Sequence, residues 1–468
     1  MDIELSRIFR LIKENIMHVF NFYRNKIVVF ITISLLLNAC RPNMKHINED
    51  CAESSAGNPQ QSSIALQPSN SVNVKINIDG TPSMLGFVNI PDSRYIQLLK
   101  AIDSAASIAF TNRQVEYYRF GLKSYRLNGQ KNSLPAQKPN FYSEGKTIKG
   151  DFLDAQLQAA IHKTKNISDE LNIIVTDLYQ KESSTQDSVI QILKDKYLKP
   201  GYAVGILGVK SQFKGTIYDT NLKGDPQRNQ ITNNHPFYVI VLGKYANILQ
   251  YYEKLKDNAS FVSDENFIIF SQQLVKDKSR LNITNAVPKL PPGIWRIQTA
   301  NKNGLMVHIK SPESTERLRI KQGYKSDNKI EYKVDYSPLP YTLPISTQDI
   351  NLPIKSIPLK NQGDETTLQV SNFAIDQNKI KWNITIQPPA KSGIYAFTIN
   401  VIPEKFLEPT WWRQWNYGEN EFDITKTYNL LPFLKNLGSV TLELVKSSQS
   451  QGSSQPAIGR FCYILQQE

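Results

Sequence analysis

The stretch Leu171 to Thr176 has a centre, Ile173-Ile174-Val175, that offers no polar side to water. Side chains on a strand alternate between faces, so a run that is apolar at consecutive positions belongs inside a sheet covered on both sides. The neighbouring sequence supplies both strands and covers. Val74, Ile76 and Ile78 alternate in a strand predicted over 72–79, and Ile96, Leu99, Ile102 and Ala106 recur at helical spacing between Asp92 and Phe110. Gln114 to Tyr125 alternates again, and 128–149 is polar and turn-rich. A helix is expected over Asp151 to Lys163 (Leu153, Leu157, Ala160, Ile161) and another over Ser188 to Tyr197. Strand Ala203 to Val209, a polar excursion ending at Pro236, strand Phe237 to Leu242 and helix Tyr245 to Leu255 complete the series. The order predicts an α/β domain over 71–256 with a doubly wound, mostly parallel sheet.

After 257 the helical signal fades, apart from a short helix expected near Asn266 to Lys276 within a connecting segment, 257–284. Alternating runs follow at Leu305–Ile309, Lys329–Val334, Thr367–Val370, Lys379–Ile386, Gly393–Ile402 and Val440–Val445. They predict an antiparallel β-sandwich region over 285–446, as one or two immunoglobulin-like domains. Residues 447–468 read as a Ser/Gln-rich linker before a last strand, Phe461 to Leu465. All five Trp lie in this half, three of them in Trp411-Trp412-Arg413-Gln414-Trp415. Exposed, the indoles beside Arg413 would stack on a sugar or grip a protein partner; packed, they would anchor the loop to the sandwich or to the first domain.

At the amino end, Arg24 and Lys26 precede an apolar stretch, Ile27 to Leu37, too short to span a bilayer as a helix but suited to a signal peptide. It closes on Leu37-Asn38-Ala39-Cys40, which resembles the bacterial lipobox. The resemblance implies a signal peptide over 1–40, cleavage before Cys40, a lipid on its sulfur and a body held in the cell envelope outside the cytoplasm. An uncleaved anchor helix is the alternative. Arg41 stands where an inner-membrane retention signal has Asp, so the outer membrane is favoured in a cell with two membranes. Met17 would start a signal of more usual length, and 41–70 reads as a flexible tether. An exported compartment permits a disulfide between Cys51 and Cys462.

The net charge of +13 leaves an anionic partner open, yet no run of five or more basic residues marks a nucleic-acid groove, and none is expected to bind. The five His are scattered with no pair at helical metal-ligand spacing, which argues against a zinc hydrolase.

In sheets of this kind ligands gather at the carboxyl ends of the strands. Asp79, Thr81 and Ser83 follow the first strand, Asp151 opens the helix expected there, and Asp177 follows the buried run. Asp79-Gly80-Thr81-Pro82-Ser83 and the later Asp177 resemble the metal-ion-dependent adhesion site of the von Willebrand factor A domain family, whose first loop reads Asp-x-Ser-x-Ser. The resemblance implies a Mg²⁺ or another divalent cation held by Asp79, Thr81, Ser83, Asp151 and Asp177, with Asp151 where the family carries Thr. A third carboxylate would tighten cation binding and weaken the cation's pull on an external carboxylate. Ile78-Asp79-Gly80-Thr81 also resembles the haloacid-dehalogenase-like phosphatases, but the nucleophile's position is Asn77, and an amide forms no aspartyl phosphate. The expected function is therefore a membrane-tethered binding lipoprotein with a protein or glycan partner. The alternative is an exported metal-dependent hydrolase using Asp79, Asp151 and Asp177, for which no His, Cys or Lys constellation supplies a base. Cys40→Ala is expected to release the protein from membranes on fractionation; retention in the membrane fraction would reject the lipid anchor.

Overall fold

The computed structural model describes residues 67–143, 151–152, 154–161, 167–180, 184–218, 226–275, 288–297, 315–324, 329–358, 367–376, 379–387, 392–418, 422–450 and 458–468. The lipobox with Cys40, the tether up to residue 66, Cys51 and the expected strand Leu305–Ile309 lie outside them.

Seven strands form the first sheet: β1 Ser71–Asp79, β2 Asn112–Phe120, β3 Ser124–Arg126, β4 Glu170–Thr176, β5 Ala203–Ile217, β6 Gln227–Gly243 and β7 Phe267–Phe270, in the order β3-β2-β1-β4-β6-β5-β7. Only β1–β2 and β1–β4 pair in parallel; the four other pairings are antiparallel. The sheet is thus mixed, not mostly parallel. The cause lies in the stretch read as a polar excursion: β5 runs on to Ile217 and β6 begins at Gln227, so the two form a long hairpin, and strands so joined must run antiparallel.

Among the described residues five α-helices serve this region: α1 Leu85–Val88, α2 Arg94–Ile108, α3 Leu157–Ala160, α4 Ser184–Leu193 and α5 Tyr245–Asn258. Ser93 caps α2, its hydroxyl accepting from the Ile96 amide. Leu98, Leu99 and Ile102 of α2 and Tyr251, Tyr252 and Leu255 of α5 pack on the face formed by Val72, Val74, Ile76 and Ile78. On the opposite face, Asn77 Nδ2 donates to Asn172 Oδ1 (2.6 Å) and Asn172 Nδ2 to the Ala160 carbonyl (2.9 Å), so buried amides bridge sheet and α3.

Two further expectations are corrected here. The helix over 151–163 shrinks to α3, because the chain ahead of it is pinned to the β2–β3 turn: Leu122 N donates to the Asp151 carbonyl (2.7 Å) and Gln156 N to the Gly121 carbonyl (3.1 Å). The helix near 266–276 is instead β7, whose four residues, Phe-Ile-Ile-Phe, are all buried; a short apolar run has no period to separate helix from strand. Because β7 pairs with β5, the first sheet extends past residue 256.

In the second half, β8 Ile294–Arg296, β9 Thr315–Ile320, β10 Ile330–Asp335, β11 Ile350–Asn351, β12 Ile354–Pro358, β13 Thr367–Asp376, β14 Lys379–Gln387 and β15 Gly393–Pro403 precede a short helix, α6 Thr410–Gln414. The two-residue strands β16 Asn416–Tyr417 and β17 Thr427–Tyr428, the helix α7 Leu430–Ser450 and β18 Gly459–Gln467 follow. β10-β14-β13 make one antiparallel sheet, and β11-β15-β18-β9-β8, with β12 beside β15, make another in which only β18–β9 is parallel. The last strand therefore lies inside a sheet, with Cys462 buried opposite Thr398 and Thr315. Trp382 on β14 joins the two sheets: its ring stacks on Phe461 (centroids 4.2 Å apart) and its Nε1 donates to Tyr463 Oη (2.8 Å).

The strand expected at Val440–Val445 is part of α7. Its buried residues Leu430, Phe433, Leu434, Leu437, Leu444 and Val445 keep helical spacing, which outweighs the local alternation. The helix also takes in residues 447–450 of the expected linker. It joins the same apolar cluster as Ile174, Ile206 and Ile240 of the first sheet and Val189 and Leu193 of α4, so the second half closes that face. Among the described residues no helix is long and apolar enough to cross a membrane. Trp382→Ala removes a fully buried ring and is expected to lower stability by about 3–5 kcal/mol; an unchanged denaturant midpoint would show that the two sheets do not depend on it.

Candidate functional site

Parallel pairing of β1 with β4 sets Ile78 beside Val175, so both strands deliver their polar tips to one place. Asp79 is 0% exposed and Asp177 7%. Asp79 Oδ1 accepts from the Thr81 amide (3.0 Å) and from Thr81 Oγ1 (2.7 Å), and Oδ2 accepts from Thr176 Oγ1 (2.9 Å). Thr81 Oγ1 lies 3.0 Å from Ser83 Oγ, and the Ser83 hydroxyl in turn acts on Asp177. Asp177 Oδ1 also accepts from the Tyr179 amide (3.0 Å). Four of the five predicted ligands are thus brought together.

The fifth is not. Asp151 faces the β2–β3 turn, where it accepts from Tyr125 Oη and pairs with Lys123 (3.4 Å). The Tyr125 hydrogen bond holds its carboxyl below the usual range. Besides Asp79, it is Asp154 whose charge acts on Asp177, adding to the burial that pushes the Asp177 carboxyl up. Among the described residues no three His, Cys, Asp or Glu side chains gather as a metal-binding group. The Asp79/Asp151/Asp177 cluster of the hydrolase alternative is therefore not assembled.

Burial dominates the electrostatics. Desolvation, and then the charge of Asp177, push the Asp79 carboxyl up to about 7, against the hydrogen bonds from Thr81 and Thr176. Desolvation likewise raises Asp177, against the Ser83 hydroxyl. Arg119, near the end of β2, lies close enough for its charge and that of Asp79 to act on each other. Its Nη2 donates to the carbonyls of Gly80 (2.9 Å) and Ser143 (3.1 Å), and its guanidinium lies over Phe152, 3.6 Å from the ring centroid. Gly80 is required by this approach, since a Cβ there would meet Arg119 Nε at 2.3 Å.

The oxygens suit a hard cation. Thr81 Oγ1 commits its hydrogen to Asp79, so the contact with Ser83 uses the one Ser83 hydrogen, which cannot also serve Asp177. With both carboxyls ionised, two desolvated carboxylates and two hydroxyls have too few hydrogens between them, and they match the all-oxygen donor set that Mg²⁺ prefers. Asp79, Thr81, Ser83 and Asp177 are the residues that would hold it.

At the mouth, Ser83 and Asp177 line a narrow cleft with Ile217, Tyr218, His235, Pro236 and Thr427. Burial pushes the His235 imidazole down to about 4, and its Nδ1–H donates to the Ile424 carbonyl (2.6 Å). His235 packs against Phe213 and Phe87. The cleft residues from β6 and from the second half were missed in the sequence, because contacts 189 residues apart leave no local signal. Arg119 and Thr176, by contrast, stand at strand carboxyl ends and were open to the argument that found Asp79.

The Trp cluster does not form a partner surface. Trp411, Trp412 and Trp415 are all buried: Trp412 stacks on Phe270 (6.0 Å) and Trp415 lies beside Tyr238 and against Gly208, where a Cβ would meet it at 2.6 Å. Arg413 and Gln414 stay at the surface, Arg413 paired with Glu408 (2.7 Å). The indoles anchor the second half on the first sheet.

In comparison with known proteins, no family model, no curated protein and no solved structure matches the chain.

A carboxyl raised above its unfolded value contributes stability that is present below that value and lost as pH rises through the folded one. The protein is therefore expected to lose stability between pH about 4 and about 7 in chelator, and Asp79→Asn to flatten that slope. Denaturant midpoints across this range test it; parallel curves for the two proteins would reject a buried, raised Asp79.

Proposed function

We propose that this chain is a lipid-anchored binding protein of the cell envelope whose first domain is von Willebrand A-like and holds a divalent cation at Asp79, Thr81, Ser83 and Asp177. The second half, as a β-sandwich with α7, is its rigid support. The observation that carries the reading is the convergence of those four side chains at adjoining strand ends, two of them desolvated carboxylates. The cation would neutralise the pair and present an open coordination position toward the Ser83 side, where the cleft lies. A protein or glycan partner is then met at that mouth and not at the buried tryptophans. The lipid on Cys40 places the site outside the cytoplasm, at the outer membrane in a cell with two membranes.

Titration calorimetry of Mg²⁺ and Mn²⁺ into the protein is expected to show one site that is lost in Asp79→Ala and Asp177→Ala and kept in Asp151→Ala. Equal heats in Asp79→Ala and the parent would reject the site; loss in Asp151→Ala would restore the five-ligand arrangement read from the sequence.

A further inference from the structure

The cleft beside Ser83 and Asp177 is closed partly by a segment from the far end of the chain. Thr427 lines it, carried by the segment Phe422 to Tyr428. This segment touches the first domain through a few side chains and shares no strand ladder with its sheet. His235 Nδ1 donates to the Ile424 carbonyl (2.6 Å), Tyr238 Oη is 2.8 Å from Thr427 Oγ1, and Phe422 and Ile424 are half-buried against the apolar cluster that contains Phe87 and Phe213. Its own architecture is separate: Thr427 N donates to the Trp415 carbonyl (2.8 Å), β16 pairs with β17, and Tyr417 packs on Phe422 and Tyr428. Trp415, wedged on Gly208 with Lys210 above its ring at 4.8 Å, fixes one end. At the other, Asn429 has φ +56°, a left-handed turn between β17 and α7 that a few residues can absorb as a hinge.

We propose that Phe422 to Tyr428 is a strap that shuts the Ser83/Asp177 cleft and lifts to admit an ion or a partner's group, β17 parting from β16 as it does so. The strap is a regulatory part contributed by the second half, and its role rests on the cation reading above. Local openings of this kind break the contacts that hold a segment shut, which here are the β16–β17 pairing with the Thr427–Trp415 bond and, toward the first domain, the hydrogen bonds to His235 and Tyr238. The hydroxyl of Tyr238 is the simplest latch to remove, because Phe keeps the ring against Trp415.

Ser83→Cys in the full chain gives a thiol inside the cleft, whose reaction with an aromatic disulfide reagent is read against the parent's background. Adding Tyr238→Phe or Thr427→Val is expected to raise its labelling rate about three- to tenfold, the effect of deleting one hydrogen bond that holds the closed state. Equal rates in both double variants overturn the strap. The labelling needs no metal, so it is separate from the cation reading. With Ser83 intact, stopped-flow Mn²⁺ association should accelerate by a similar factor in Tyr238→Phe. Faster labelling with no Mn²⁺ binding in any protein leaves the strap standing and overturns the cation site instead.

Discussion

A carboxylate with no access to water, Asp79, sits at the carboxyl end of β1, and the surrounding structure is arranged to tolerate it. Burying an anion costs several kcal/mol unless it is paired and hydrogen-bonded, on the order of what the whole domain has to spare. Here three donors reach its two oxygens, Arg119 lies behind the loop, and Asp177 beside it makes matters worse. A structure that places a second carboxyl next to a buried first one has built a place for positive charge, either a proton or a metal ion. The strand register sets this: β1 pairs in parallel with both β2 and β4, so the carboxyl ends of three strands adjoin and bring Arg119, Asp79 and Asp177 to one edge of the sheet.

The second half follows from the same sheet. Strands apolar on both faces need two covers, and the helix expected over 151–163 yields a single turn. The missing cover comes from α4 and from α7, whose Leu434 and Leu437 join Ile174, Ile206 and Ile240 in one cluster, with Lys194 and Glu443 paired at its rim (3.1 Å). Trp412 and Trp415 extend that contact to the β5–β7 side. Residues read as a separate module therefore complete the first domain's core, and the segment that follows Trp415 falls over the site as a consequence.

The strand β1, the helices α2 and α5 and the acidic tips were legible because each is set by a local period or a strand end: Val74-Ile76-Ile78, Leu99-Ile102, Asp79, Asp177. What was not legible was set by partners distant in sequence. Phe237 to Leu242 reads as a buried strand whichever direction its neighbours run, so the antiparallel hairpin with β5 was hidden. Val440 to Val445 alternates locally, but its packing follows the helical stripe that begins at Leu430. Asp151 was assigned to the site by counting back from Leu153, and the bond of its own carbonyl to Leu122 turned it away. The tryptophans showed composition without exposure, and burial decided between the two readings they allowed.

The most direct test of the central claim is an anomalous difference map from crystals of the protein soaked in Mn²⁺. The account predicts a peak bounded by Asp79, Thr81, Ser83 and Asp177, with Asp151 remote from it. Soaked crystals showing no peak there, or one centred on Asp151, would contradict it.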